Sequence, residues 1–275
     1  MLCNTGRQRV TAAGPIQKEA VMGRQLLVRA DDLGFSRGVN YGIADAVDSG
    51  IIRSVGLMPN MPDAEHGVRL LAGKDICFGL HTNICVGRPL TPAARIPSLC
   101  GENGDFKTSK EYRAAYQAGT DFVVLEEVVE EIEAQYQRFV ALTGREPGYF
   151  EGHAVASDNF FKGLEIVAKR HNAPYLPVDL ASPVDFCGHK LRFVMEPGLP
   201  NYHPFETMKK AVMDTPEDAI PMLVYHPGYL DAYLMGVSSL TLPRTWEVET
   251  VRDPNTMEWL QEQDVQLITY DDLNR

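Results

Sequence analysis

Four places in this chain join an apolar run to residues able to do chemistry. Leu26-Leu27-Val28-Arg29-Ala30 runs into Asp31-Asp32, then Leu33-Gly34. Ile76-Cys77-Phe78-Gly79-Leu80 ends in His81, Tyr149-Phe150-Glu151-Gly152 in His153, and Pro221-Met222-Leu223-Val224-Tyr225 in His226. Two adjacent carboxylates are costly to bury unless positive charge sits beside them, and a divalent ion meets that need. Two imidazoles and a carboxylate form a three-ligand set with open positions, the form of a catalytic rather than a structural metal site. A second carboxylate can then take a proton from an activated water, and a histidine opposite can protonate a leaving group. That kit hydrolyses an amide or ester without a nucleophilic Ser or Cys, and the chain has no G-x-S-x-G elbow. Each residue alone is a weak signal; the agreement of four strand ends is what counts. His66, His171, His189 and His203 fall on helices or irregular stretches and receive no role.

The elements that must position these groups alternate along the chain. Residues 25–31, 51–58 and 76–81 read as strands. A helix opened by Ser36 or Gly38 carries the apolar face Val39, Ile43, Ala46 and Val47, and a second helix spans 62–71. Residues 84–120 lack a clean period and read as an ordered loop over the site. A long amphipathic helix over 121–142 stops at Gly144, and a short strand follows over 149–153. A helix over 157–171, a strand over 175–178, an irregular stretch over 180–204 and a helix over 205–214 come next. The strand 221–226, helices around 244–251 and 254–263, and a strand over 265–269 close the chain. This is a parallel sheet with covering helices, and one closed or nearly closed βα barrel over residues 23–275 suits it better than two domains. The catalytic groups then stand where they belong, at the carboxyl ends of the strands. Adjacent strand residues point to opposite faces, so the chain must leave register at Asp31-Asp32 for both to reach one site.

Composition narrows the partners. The 275 residues carry a net charge of −11, which argues against nucleic acid and anionic membranes as partners. Five dispersed cysteines without a C-x-x-C pair fit neither a disulfide framework nor a zinc ribbon and point to a reducing, cytoplasmic setting. No apolar run approaches the ~18 residues of a membrane span. Residues 1–22 lack an apolar signal region and read as a disordered leader, or as an over-long start with Met22 as initiator.

These motifs are similar to those of the YdjC-like carbohydrate deacetylases, the group containing the chitooligosaccharide deacetylases. The resemblance rests on Ala30-Asp31-Asp32-Leu33-Gly34-Phe35-Ser36 and Gly50-Ile51-Ile52-Arg53-Ser54. It continues through Gly79-Leu80-His81-Thr82-Asn83, Gly87-Arg88-Pro89-Leu90, Gly144-Arg145-Glu146-Pro147, His226-Pro227-Gly228-Tyr229, Pro243-Arg244 and Tyr270-Asp271-Asp272-Leu273. It implies a distorted βα barrel of the polysaccharide-deacetylase type, a small N-acetylated carbohydrate substrate, one divalent ion and a homodimer. By the same resemblance Asp32, His81 and His153 hold the ion, Asp31 is the base, and His226 is the acid or steadies the tetrahedral intermediate. Asn83, Arg88, Glu151, Tyr229 and Arg244 are the expected substrate contacts. The family is described with magnesium, whereas two imidazoles favour zinc or another late ion, so the expectation is a divalent ion of either kind. The chain departs from the family at Glu151-Gly152-His153-Ala154-Val155-Ala156, where an H-x-H-x-H run keeps only its first histidine. Two other classes stay open at this point: a metal-dependent sugar isomerase or epimerase on a similar barrel, and a non-catalytic sugar-binding relative.

Overall fold

The computed structural model describes residues 24–274. The expected leader, residues 1–22, lies outside them. The first half contains β1 (Arg24–Leu33), α1 (Arg37–Asp48), β2 (Ser54–Leu57), α2 (Ala64–Leu70), β3 (Cys77–Thr82), α3 (Ser109–Gln117), α4 (Leu125–Thr143), β4 (Phe150–Gly152) and α5 (Asp158–Arg170). The second half contains β5 (Val184–Phe186), β6 (His189–Val194), α6 (Pro204–Asp214), β7 (Ile220–Tyr225), α7 (Ala232–Val237), α8 (Leu242–Arg252), α9 (Pro254–Glu262), β8 (Val265–Ile268) and α10 (Tyr270–Leu273). The strands form one sheet in the order β4-β3-β2-β1-β7-β6-β5, with β8 also beside β1. Every pairing is parallel except β5 with β6. β4 and β5 stand at opposite ends of that order, so among the described residues the barrel is distorted and not closed by hydrogen bonds.

Strand alternation divides the side chains between two faces. Leu26, Val28 and Ala30 of β1, Phe78 and Leu80 of β3, and Phe150 of β4 pack in the large cluster shared with α1, α4 and α5. Their neighbours face the barrel interior, where Leu27, Tyr149, Phe193, Met222, Val224 and Tyr270 form a second cluster. The interior parity of β1, β3 and β4 therefore carries Arg29 and Asp31, Gly79 and His81, and Glu151 and His153.

Four expectations need correction. Residues 84–120 are not simply a loop: α3 lies within them, opened by a capping box in which Thr108 accepts from the Glu111 N–H and Glu111 accepts in return. Residues 180–204 contain the β5–β6 hairpin, turned by Cys187 and Gly188 at φ 53° and 83°. The strand expected at 175–178 reduces to a single bridge between Tyr175 and Phe150; Pro174 and Pro177 flank it and cannot donate to a ladder. Short helices α7 and α10 also stand where none was expected.

Candidate functional site

β1 leaves register where it must. Ala30 pairs with Val55 and Leu33 with Leu57, so β1 uses one residue more than β2 across this step. Asp32 takes up the excess in a left-handed conformation, φ 76°, at a cost of about 1–3 kcal/mol for a residue other than glycine. The bulge turns Asp32 to the same side as Asp31 and leaves it fully buried.

Asp32, His81 and His153 meet. Asp32 Oδ1 lies 3.2 Å from His81 Nε2 and 3.0 Å from His153 Nδ1, and the two nitrogens are 2.9 Å apart. Adjacent donors on an octahedral ion with ~2.1 Å bonds stand about 3.0 Å apart, so the three atoms fit one face of such an ion. Each of two ligands has its own partner. Arg244 Nη2 donates to Asp32 Oδ2 at 2.6 Å. His81 Nδ1–H donates to Glu151, which turns Nε2 toward the set. Burial pushes the Asp32 carboxyl up, but Arg244 and His153 outweigh it and hold it well below the usual range.

A second acidic group, Asp31 and Glu151 around His81 Nδ1, could also hold an ion by geometry. There the charge is already met: Arg29 lies 2.7 Å from Asp31 Oδ2 and 3.5 Å from Glu151 Oε2. Arg29 is steadied by the Tyr270 hydroxyl at 3.1 Å and lies over the rings of Tyr149 and Phe193. Of the two groups, the Asp32 set is therefore the one whose charge leaves room for a cation. Asp31 sits behind His81 rather than on the cavity wall, and its Oδ1 has no partner among the described residues. A Cβ on Gly56 would lie 2.8 Å from that oxygen, so glycine is what leaves Asp31 its space.

A cavity of about 430 Å³ opens on the set. Asp32, His153, His226 and Arg244 line its floor, with Phe35 and Leu240 among the apolar walls and Lys110 and Arg113 from α3. His226 follows β7 and is half-buried, with Nδ1 unpartnered among the described residues. Burial pushes its imidazole down to about 4, so it is neutral at pH 7.

Of the five expected substrate contacts, only Arg244 lies on this wall. Glu151 is buried beneath His81. Asn83 is buried and braces its own loop, accepting from the Cys85 and Val86 N–H groups. Arg88 is an exposed rim residue paired with Asp105 at 3.0 Å. The Tyr229 hydroxyl donates to Asp45 on α1 at 2.6 Å. Sequence reasoning missed Arg29, Tyr270 and Glu247. Arg29 alone had a visible signal, a cation two residues before Asp31 inside an apolar strand.

A distorted α/β barrel with a buried Asp-His-His set at its strand ends defines a class of protein with a candidate metal site at the sheet's carboxyl edge. Within that class the chain belongs to the YdjC-like protein family, whose model matches residues 25–262. A carbohydrate deacetylase of Geobacillus stearothermophilus is 34% identical over 256 residues, spanning 90% of this chain and 98% of that one. Carbohydrate deacetylase 2 of Listeria innocua is 31% identical over 262 residues, spanning 90% and 98%. Among solved structures, one described as a cellobiose-phosphate cleavage protein of Enterococcus faecalis superposes with a TM-score of 0.76. It covers 91% of this chain and 99% of its own, and at 20% identity the likeness is one of fold.

Proposed function

We propose that the protein removes an acetyl group from an N-acetylated carbohydrate, using one divalent ion held by Asp32, His81 and His153. The observation that carries this reading is the convergence of those three donors, two of which, Asp32 and His153, line a cavity that also presents His226. The relatives named carbohydrate deacetylases support the choice of substrate. When bound, the ion supplies Lewis acidity, lowering the pKa of water and polarising a carbonyl oxygen.

The chain's own residues do the rest. Glu151 keeps the His81 Nδ1 proton in place, and Arg244 fixes the direction of Asp32. Asp31 lies behind His81, anchored through Oδ2 by Arg29; its Oδ1, without a partner among the described residues, is the acceptor for the proton of a water that enters past His81. His226 is neutral at rest, so the proton it hands to the departing nitrogen is the one the attacking water gave up to Asp31, relayed across the site. The products are acetate and a free amino sugar. The apolar wall at Phe35 excludes bulk water from the reacting carbonyl.

The test is acetate release from a panel of short N-acetylated oligosaccharides, with the amine counted in the same samples. The expected result is equal acetate and amine, abolished by chelation and restored by a divalent ion. Interconversion of isomers without acetate, or binding without turnover when ions are supplied, would sink the reading.

A further inference from the structure

Helix α8 reaches the strand end that bears His226 with two buried charged side chains. Arg244 and Glu247 are three residues apart and share a helix face; their exposures are 2% and 0%. Glu247 Oε2 accepts the His226 backbone N–H at 2.6 Å. Arg244 Nη1 donates to the His226 carbonyl at 3.3 Å. Both peptide groups flanking the His226 Cα are thus fixed by one helix. Arg244 also grips Asp32, so α8 sets the spacing between His226 and the metal-ligand set. The other oxygen of Glu247, Oε1, accepts the Tyr202 hydroxyl at 2.7 Å. The helix's other buried side chains include Val248 and Val251, which pack without polar partners. A carboxylate at 247 is therefore placed for the two donors it receives.

We propose that Glu247 is a positioning residue for His226, holding the backbone of the proton-transfer group at its working distance from Asp32. The catalytic consequence rests on the deacetylase reading; the contact itself rests on geometry. The charged carboxylate serves two donors at once, one with each oxygen. A protonated carboxyl has one good acceptor oxygen, so either Tyr202 or the His226 N–H loses its partner. Burial pushes Glu247 up to about 7, against the hydrogen bonds from Tyr202 and His226 and the charge of Arg244, while Asp32 adds to the rise. The titratable and charged groups that face it are Arg244 on its own helix, Asp32 on β1, Tyr225 on β7 and Tyr202 ahead of α6. The clamp is complete above that pH and loosens below it.

The experiment compares wild type, Glu247→Gln and Tyr202→Phe by acetate release across pH, ion content, and hydrogen exchange at the His226 amide. Glu247→Gln keeps the volume but turns an amide donor toward one of the two donors. Its kcat is expected to fall about tenfold or more, with KM and ion content unchanged and the acid limb near pH 7 gone. The His226 amide is expected to exchange about tenfold faster, since it loses a buried acceptor. Tyr202→Phe removes a donor that favours the charged carboxylate, so the acid limb moves to higher pH while the kcat plateau above it is kept. Wild-type kcat in Glu247→Gln, a change in KM alone, or unaltered His226 exchange would overturn the proposal. If Glu247→Gln does not fold, an unmoved limb and unmoved exchange in Tyr202→Phe overturn it instead. Absence of acetate from wild type would strike the deacetylase reading, and the exchange measurement would still decide the clamp.

Discussion

Asp31 and Asp32 are neighbours in the chain, and each has its own arginine, yet they belong to different regions. Asp31 is held by Arg29, two residues back on the same strand, inside an aromatic box under His81. Asp32 is held by Arg244, 212 residues away on α8, and opens on the cavity. The first pair is a closed network, two carboxylates around one guanidinium. The second is an open one, a carboxylate shared between an arginine and two histidines that can exchange a proton for an ion. A one-residue bulge separates these fates, and the partner, more than the carboxylate, decides what each aspartate can do.

The comparison breaks most severely if the open network is not the ion site. His81→Ala and His153→Ala are expected to lose the ion and more than about a thousandfold in turnover. Asp31→Asn is expected to keep the ion and still lose the reaction. Elemental analysis of the purified variants beside acetate assays checks this. An ion retained at full occupancy by either histidine variant would reassign the ligands, and unchanged turnover in Asp31→Asn would take the base role from it.

The two arginines sharpen the contrast at the next scale. Arg29→Met leaves Asp31 buried without its cation and Glu151 with His81 alone, and such a break costs about 3–5 kcal/mol of stability. Arg244→Met in the ion-loaded protein leaves Asp32 still paired with its ion. Its main loss is expected in ion affinity, about 10- to 100-fold. Denaturant unfolding and ion titration of both variants distinguish a structural arginine from an orienting one. Equal losses in both measurements would erase the difference between the regions.

How much of this was legible in the sequence follows from the range of each interaction. The strand ends at Asp31-Asp32, His81, His153 and His226 were readable because apolar runs and strand parity are local properties. The break in register was readable because two adjacent acids cannot share a face otherwise. Helix α3 was legible too, through Thr108 and Glu111 at capping-box spacing, but the aperiodic segment around it hid the signal. The partners were not legible. Nothing local in Leu242–Arg252 says that Arg244 reaches Asp32 or that Glu247 reaches the His226 N–H, because those contacts exist only once the barrel has folded. Glu151 shows the same limit: a carboxylate two residues before His153 is a natural acceptor for a ligating ring, but only the fold shows that the ring is His81 and that Glu151 does not line the cavity.

The proton balance of the open network sets the third scale. Burial pulls the His153 imidazolium down, but Asp32 outweighs it, and without an ion His153 is pushed up to about 9. His81 is raised as well, Glu151 and Asp31 prevailing over burial. The 2.9 Å contact between the rings leaves room for one proton. A folded pKa above the ordinary value near 6.5 stabilises the ion-free fold fully below that pH. The contribution fades as pH rises toward about 9. An incoming ion must displace the proton, so its affinity is expected to rise about tenfold per pH unit over that window. Ion titrations at several pH values, paired with ion-free unfolding, test both signs. Affinity independent of pH would mean that the histidines rest neutral.

The rim supplies the smallest effect and the cleanest contrast with the floor. Arg88 and Asp105 form an ion pair at 3.0 Å, close to the 2.7 and 2.6 Å of the two buried pairs, but their side chains are 80% and 40% exposed. Water screens the attraction and two mobile side chains must be ordered to make it, so such pairs contribute about 0–1 kcal/mol. Arg88→Ala is therefore expected to leave stability within about 0.5 kcal/mol of wild type. Because Arg88 is not on the cavity wall, KM for a short N-acetylated oligosaccharide should also hold. Steady-state kinetics on substrates of increasing length make the test exacting. A KM that rises in Arg88→Ala only for longer chains would extend the binding surface from the floor, past α3, to the rim. A constant KM at every length would confine recognition to the cavity over Asp32.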